Sequence, residues 1–246
     1  MKKSLIMSFL VLWGGFIFVL AGCAAQREQE EGQDQQQALE FTTQRCSTNL
    51  IKDGGFENPV NVSMYGYETF LNGRSFGDAS STGVGVWNVE APVFSPPLQC
   101  AIALFPNSYS TSNHLFHKTP DGHNFVDIGL KSQGENSPDY PNCSLSQLIQ
   151  TDLVAGKLYK LSFLQSAFKY PSLQTIPGNV FVQIYLKDPS SSIYSEHFKV
   201  CPGSAWVFQG GDVTVPSSSG GQYTIAFSSD DPKSVSIIDA VWLTEK

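Results

Sequence analysis

Short apolar runs separated by turn-forming residues characterise the chain from about Ser47 to Leu243. The runs are rich in Val, Ile, Phe, Tyr and Thr, and clusters of Gly, Pro, Asn and Ser separate them. No helical period of ten or more residues is visible, so we expect an all-β fold of about ten strands, a sandwich or a barrel. The candidate strands are Met64–Leu71, Val84–Val89, Ala101–Phe105, Asn124–Leu130, Leu145–Thr151, Leu158–Ser166, Val180–Leu186, Ile193–Val200, Trp206–Val215, Gln222–Ser228 and Ser234–Leu243.

Two of these runs indicate how their strands are buried. Between Tyr159 and Phe163 every second residue is apolar, while Lys160 and Ser162 are polar, which predicts an antiparallel strand buried on one face. The run Val235–Leu243 is largely apolar on both faces, which predicts a strand in the centre of a sheet. No linker or internal repeat interrupts the region, so a single domain is expected.

The N-terminus has the layout of a secretory signal peptide. Lys2 and Lys3 precede a largely apolar, uncharged run that ends in small residues. The last four residues, Leu20-Ala21-Gly22-Cys23, closely resemble the bacterial lipoprotein signal. The resemblance implies cleavage before Cys23, a lipid on its thiol, and acylation, typically with palmitate, of the new N-terminus. Two or more acyl chains are enough for stable membrane anchoring.

A single transmembrane helix is the alternative for this segment, because the apolar run is long for a signal peptide. Gly14, Gly15 and Gly22 and the small-residue ending disfavour that alternative. Ala24, rather than Asp, follows the cysteine, and in Gram-negative bacteria this pattern resembles a signal for the outer membrane. We therefore expect a protein of the cell envelope, held at the membrane by its lipid.

Three parts are predicted along the chain: a signal peptide in residues 1–22, a lipidated N-terminus and tether in 23–46, and a β-sandwich domain in 47–246. Within the tether, Gln26–Glu40 contains no aromatic or β-branched residue and is rich in Gln and Glu. Such a segment cannot bury a core, so we interpret it as a solvated spacer between membrane and domain.

The charge of the protein limits its partners. The formal net charge is −7, and removal of the signal with Lys2 and Lys3 changes it to −9. An acidic surface disfavours nucleic acid as a ligand and also disfavours direct adsorption to anionic lipid. Contact with the membrane is therefore assigned to the lipid anchor.

Four cysteines remain after Cys23, an even number in an exported chain. They are Cys46, Cys100, Cys143 and Cys201. Two disulfides are the natural interpretation, and three pairings are possible. A zinc site is disfavoured because no Cys-x-x-Cys or Cys/His cluster is present.

Six motifs in fixed order indicate a family. They are Asn49–Pro59, Trp87–Val89, Pro120–Ile128, Leu145–Thr151, Gly156–Phe163, and Tyr223–Phe227 together with Ile238–Val241. This set resembles the galactose-binding-like jelly-roll superfamily and, within it, domain-of-unknown-function family 642 of plant cell-wall proteins, which also occurs in bacteria. Asp53 stands where that family commonly has Asn. The resemblance implies a jelly-roll β-sandwich that binds carbohydrate, such as a cell-wall or surface glycan, without catalysis.

Glu57 and Asp239 are the candidate metal ligands. In related carbohydrate-binding jelly rolls, the acids at these two positions of the motifs often hold a structural calcium ion together with backbone carbonyls. Calcium requires several oxygen ligands, and carbonyls beside Gly54 and Gly55 would add to the two carboxylates. In the alternative, Asp239 only accepts hydrogen bonds from backbone amides near the first strand, and no ion is bound.

Catalytic arrangements are weakly supported, and we expect no enzyme activity. The segment Gly73–Gly77 matches G-x-S-x-G, but the serine elbow needs a strand-to-helix turn, and a loop composition follows here. His114, His117 and His123 lie in predicted loops rather than on one helix face. The pair Glu57 and Asp239 is better explained as structural than as a glycosidase pair. An adhesive envelope lipoprotein that binds protein is the main alternative function, and a hydrolase is a weaker one.

Aromatic side chains are the remaining candidates for sugar stacking. Trp87, Trp206 and Trp242 lie on predicted strands and are expected in the core. The tyrosines in or next to turn-rich segments are Tyr65, Tyr67, Tyr109, Tyr140, Tyr170 and Tyr194. The sequence does not select a ligand-binding residue among them.

Overall fold

A computed structural model describes residues 48–57, 68–71, 75–76, 86–90, 101–106, 119–128, 143–167, 177–229 and 236–246. In these residues the chain is β-structure apart from loops and one 3-10 helix, Pro189–Ser191. The strands are β1 (Glu68–Leu71), β2 (Ser75–Phe76), β3 (Trp87–Glu90), β4 (Ala101–Pro106), β5 (Asn124–Asp127), β6 (Ser144–Leu148), β7 (Leu158–Ala167), β8 (Gly178–Tyr185), β9 (Ser192–Val200), β10 (Val207–Thr214), β11 (Thr224–Ser228) and β12 (Ser236–Glu245).

The strands form two antiparallel sheets of six strands each in the described part of the chain. Sheet A has the order β1-β4-β5-β12-β7-β10, and sheet B has the order β2-β3-β6-β11-β8-β9. The all-β sandwich predicted from the sequence is confirmed. Of the twelve strands, only β2 was not predicted, because its two residues are too few to show a period.

The core lies between the inner faces of the two sheets, and aromatic rings dominate its centre. Trp87 packs against Phe56 with ring centroids 5.2 Å apart, and Phe227 contacts both Trp87 and Phe163. All four side chains are fully buried. Burial of each such side chain contributes about 1.5–3 kcal/mol, so this cluster fixes how the sheets face each other.

A second, smaller cluster covers part of the outer face of sheet A. Phe105 and Phe125 stack with centroids 5.7 Å apart, and Trp206 meets Phe125 edge-on at the same distance. The hydroxyl of Ser166 holds the connection before β10 by donating to the carbonyl of Ser204 (2.7 Å). Trp87 is a core residue as predicted. The same prediction is wrong for Trp206 and Trp242, which are only partly buried, and Trp206 packs on the outside of the sheet.

Burial of β7 exceeds what its alternating pattern predicts, whereas β12 is buried on both faces as predicted. β12 lies in the middle of sheet A, as expected for the apolar run that ends the chain. Ser162, predicted on an open polar face of β7, is buried as well. The register places the large side chain of Trp242 on β12 directly beside Ser162 on this face, and a neighbour of that size reduces the exposure of the serine.

Several predictions fall outside the described residues. The signal peptide, Cys23, the tether, Cys46 and Cys100 belong to this group. Cys143 and Cys201 are both disulfide-bonded, and their pairing remains one of the three possibilities. In the described part of the chain, no helix has the length and apolar character needed to cross a membrane.

Candidate functional site

The segment 49–57 carries the first predicted ligand, and β12 holds it in place. The backbone N–H of Leu50 donates to the carbonyl of Leu243 (2.8 Å), and that of Val241 donates to the carbonyl of Gly54 (3.0 Å). The Asn49 side chain donates to Val241 (2.9 Å) and accepts from Leu243 (2.9 Å). A side chain at Gly54 would place its Cβ 2.0 Å from the Val241 carbonyl oxygen, so only glycine permits this approach.

Sheet B holds the same segment from the other side. The fully buried Gln147 accepts from the backbone N–H of Lys52 and donates to its carbonyl, both at 2.8 Å. The indole N–H of Trp87 donates to the carbonyl of Asp53 (2.9 Å). Two side chains on β6 and β3 therefore satisfy backbone groups that a buried loop would otherwise leave unpaired.

Glu57 connects this segment to the loop before β5. Its Oε1 accepts from the backbone N–H groups of His123 (2.5 Å) and Asn124 (2.9 Å), and its own N–H donates to the Asp53 side chain (2.7 Å). The loop backbone passes close to the carboxylate at Gly122, where φ is +68°. A Cβ at Gly122 would lie 2.1 Å from Oε1, so the arrangement requires glycine.

Asp239 lies beside this loop and is completely buried. The Thr119 hydroxyl donates to its Oδ2, and the backbone N–H of Ala240 donates to its Oδ1 (2.7 Å). Burial raises the pKa of Asp239 well above its ordinary value, and the negative charges of Asp121 and Glu57 raise it further. The two hydrogen bonds favour the ionised form but do not outweigh burial.

Glu57, Asp121 and Asp239 thus interact electrostatically, and we call them the carboxylate cluster. The structure brings the two ligands predicted from the sequence into one neighbourhood and adds Asp121, which the sequence analysis did not single out although it lies in the Pro120–Ile128 motif. Gly55 borders the cluster, because a Cβ there would lie 3.4 Å from Oδ2 of Asp121.

The chemistry of the carboxylate cluster fits a hard cation in part. Its donors are carboxylate and backbone oxygens, which are the ligands that calcium prefers. Across the described ranges, no three His, Cys, Asp or Glu side chains form a group that could hold a metal ion by themselves. A cation here would therefore depend on backbone carbonyls as well as carboxylates.

A second candidate site lies on the outer face of sheet B. On β3, β6, β11, β8 and β9 every second side chain points away from the core, and the strand register aligns one from each strand in a row across the sheet. With adjacent strands about 4.8 Å apart, this row is about 19 Å long. Its members, all small or polar, are Asn88, Ser146, Ala226, Gln183 and Ser195.

Several larger side chains stand on the two sides of this row. Ser146 and Ala226 are only 1% and 7% exposed, whereas Leu148 beside them is 51% exposed, so the middle of the row is recessed. We call it the sheet B groove. Outward side chains on one flank are Leu148, Thr224 and Tyr185, and those on the other are Glu90, Ser144, Ser228, Phe181 and His197.

The groove combines aromatic surface with hydrogen-bonding groups. At its β8–β9 end the rings of Phe181 and His197 stack with centroids 4.3 Å apart. At its β3–β6 end Ser146 donates to Oε1 of Glu90 (2.9 Å). Burial, and secondarily the charge of Glu90, raise the pKa of Tyr185, so its hydroxyl stays a hydrogen-bond donor at neutral pH.

Other residues considered from the sequence have different environments. Tyr194 is not a surface aromatic, because it lies in the core with its hydroxyl bonded to Glu196 (2.6 Å). Ser75 lies in strand β2, and Asp127 is buried in β5. The remaining candidates lie outside the described residues: His114, His117, Tyr65, Tyr67, Tyr109, Tyr140 and Tyr170. The sequence analysis did not identify the groove residues, because only the register between the strands of sheet B shows that they align.

No protein-family model matches the chain, and no curated protein matches it. Solved structures do resemble it in fold. A family 4 carbohydrate-binding module is 14% identical with a TM-score of 0.41, covering 80% of this chain and 99% of the module. A Bacteroides thetaiotaomicron protein to which sugar binding has been attributed is 16% identical with a TM-score of 0.47, covering 81% and 100% of the two chains.

A third resembling structure is a family 6 carbohydrate-binding module from Cellvibrio mixtus lichenase 5A, solved with cellotriose. It is 10% identical with a TM-score of 0.33, and the match covers 56% of this chain and 90% of the module. At these identities and TM-scores the likeness adds nothing to the sandwich of two antiparallel sheets that the structure itself shows.

Proposed function

We propose that this protein is a lipid-anchored envelope protein whose domain binds carbohydrate, without catalysis, in the sheet B groove. The observation that carries the proposal is the row from Asn88 to Ser195, recessed at its middle, with a stacked ring pair at one end and polar groups along it. The sequence resemblance to galactose-binding-like domains points in the same direction.

The groove suits a glycan for physical reasons. A pyranose ring has an apolar face that packs on aromatic rings and hydroxyls that need hydrogen-bond partners. Phe181 and His197 offer the rings, while Gln183 and Asn88 offer amides that both donate and accept. Small floor residues such as Ala226 leave room for the chain. The length of about 19 Å accommodates several sugar units in an extended chain.

A structural calcium ion at the carboxylate cluster is part of the proposal. Glu57 and Asp239 would be its carboxylate ligands, together with backbone carbonyls near Gly55, and Asp121 adds negative charge beside them. The ion would offset the unfavourable burial of the Asp239 carboxylate. It would also fix the segment 49–57 against the loop before β5.

The lipid anchor is proposed at Cys23, and lipid attachment can be tested independently of ligand binding. Labelling with a palmitate analogue should mark the wild-type protein, and membrane fractionation should place it with the outer membrane. The Cys23→Ala variant should lose both the label and the membrane association. Label retained in that variant would exclude lipid attachment at this cysteine.

Ligand binding is best tested with the mature full-length protein in detergent on a glycan array, with parallel captures in EDTA and in calcium. We expect Phe181→Ala and Gln183→Ala to reduce binding of any glycan recognised by about tenfold or more. Lys157→Ala, which alters an exposed ion pair with Glu245 far from the groove, should bind as the wild type does. Binding unaffected by both groove variants would overturn the site.

If the array shows no bound glycan and crosslinking in the envelope captures a specific protein, the adhesive function replaces this proposal. Release of reducing sugar from a bound polysaccharide would show an enzyme instead.

A further inference from the structure

We infer that Glu90 restricts the sheet B groove to glycans without acidic groups, so that uronic-acid and sulfated polymers are excluded. This inference rests on the proposed carbohydrate binding and deepens it. It assigns one residue as the determinant of ligand charge, and it concerns the β3–β6 end of the groove.

The position of Glu90 places its charge on the flank of the groove. Register pairs Glu90 with Ser144 and Asn88 with Ser146, so both β3 residues point to the outer face of sheet B. The Ser146 hydroxyl, 1% exposed in the groove floor, donates to Oε1 of Glu90 at 2.9 Å. This bond ties the carboxylate to the floor, so a bound sugar would lie against it.

Tyr185 supplies the complementary group on the opposite flank. It lies two residues from Gln183 on β8, so its side chain faces outward beside the same row. The strand register sets Tyr185 on the flank opposite Glu90, and the charge of Glu90 is the secondary cause of the raised pKa of Tyr185. A sugar unit between them could donate a hydroxyl hydrogen to Glu90 and accept one from Tyr185.

An acidic sugar in that position would place two negative charges together in a recessed site. Like charges juxtaposed at an interface oppose binding strongly. Among the strand residues that the structure describes on this face, the one lysine or arginine is Lys199, which lies on β9 at the other end. Four strand intervals, about 19 Å, separate β9 from β3, which exceeds the Debye length of about 8 Å at physiological salt. Screening over that distance prevents the charge of Lys199 from compensating for that of Glu90.

Calorimetric titration of the full mature protein with a set of hexasaccharides tests this inference. The probes are xylohexaose, cellohexaose, mannohexaose, the N-acetylglucosamine hexamer and hexagalacturonate. The variants are Glu90→Gln, which keeps the shape and removes the charge, Glu90→Lys, which reverses the charge, and Tyr185→Phe. Glu245→Gln, an exposed residue of sheet A, is the matched control.

The wild type should bind at least one neutral hexasaccharide and bind hexagalacturonate at least tenfold more weakly. Glu90→Gln should lower the affinity for the neutral ligand by about tenfold, because a charge-assisted hydrogen bond is lost. Glu90→Lys should increase the affinity for hexagalacturonate by at least tenfold, and the control should leave every affinity unchanged.

Equal wild-type affinity for neutral and acidic hexasaccharides would overturn the inference, as would neutral binding that is insensitive to Glu90→Gln. In either case, continued dependence on Phe181 and Gln183 would leave the proposed function standing. Failure of the wild type to bind any glycan would instead remove the proposed function and this inference together. Circular dichroism of each variant separates loss of binding from loss of fold.

Discussion

The indole N–H of Trp87 donates a hydrogen bond to the backbone carbonyl of Asp53, with 2.9 Å between the two atoms. The next residue on β3, Asn88, points to the opposite face and forms part of the groove floor. Strand β3 therefore contributes to the sheet B groove on its outer face and holds the segment 49–57 on its inner face. The same holds for β6, where Ser146 and Gln147 alternate.

Trp87→Phe removes this hydrogen bond while keeping an aromatic ring in the core. We expect a loss of about 1–3 kcal/mol in the free energy of unfolding, since the Asp53 carbonyl keeps only the Phe56 N–H of its two donors and a smaller ring leaves space beside Phe56. Urea denaturation followed by circular dichroism measures it. Phe181→Ala on the outer face is the control and should change stability by less, so equal losses would contradict this account.

Gln147→Leu should be more destabilising than its volume suggests. The substitution introduces an apolar side chain of similar size and removes the hydrogen bonds that Gln147 makes with both the N–H and the C=O of Lys52. Removal of one partner from such a hydrogen bond costs about 1–3 kcal/mol, so the two bonds together predict a loss of about 2–6 kcal/mol in denaturant titrations. The matched control is Gln183→Leu, which makes the same substitution at an outward-facing position on β8. Similar stability of the two variants would show that the Lys52 contacts contribute little.

The strand pattern could be predicted from the sequence because it depends on local alternation. β7 and β8 coincide with predicted runs to within two residues at each end. Asp121 and the groove could not be predicted in the same way. Asp121 joins the carboxylate cluster through packing of a loop against Asp239, and the groove row depends on register between strands that are far apart in sequence.

Gly122→Ala tests how closely the loop before β5 must approach Glu57. The substitution meets two penalties, a φ of +68° and a Cβ 2.1 Å from Oε1 of Glu57. Gly156→Ala is a matched control, with φ of +78° and no atom within 4 Å of the added Cβ. We expect the control to lose about 1–2 kcal/mol and Gly122→Ala to lose clearly more. Equal thermal shifts in the two variants would mean that the carboxylate moves away at no cost.

The raised pKa of Asp239 predicts an unusual dependence of stability on pH. Its pKa is raised in the folded protein, so the folded state binds its proton more readily than the unfolded state does. Stability should therefore be greatest when Asp239 is protonated and should fall as pH rises from about 4 through the raised value. The lowered pKa values of Asp188 and Asp212 act below that window, where they decrease stability as pH falls.

Thermal unfolding in EDTA between pH 4.5 and 8 should accordingly show a melting temperature that decreases with pH, and Asp239→Asn should flatten the decrease. Calcium should raise the melting temperature most at the high end of this range, because a cation binds the ionised carboxylate and competes with the proton. Glu245→Gln, an exposed acid, should leave the pH profile unchanged. A profile in EDTA that rises steadily from pH 4.5 to 8 in the wild type would show that Asp239 is ionised in the fold without a cation, and an equal calcium effect in Asp239→Asn would place the ion elsewhere.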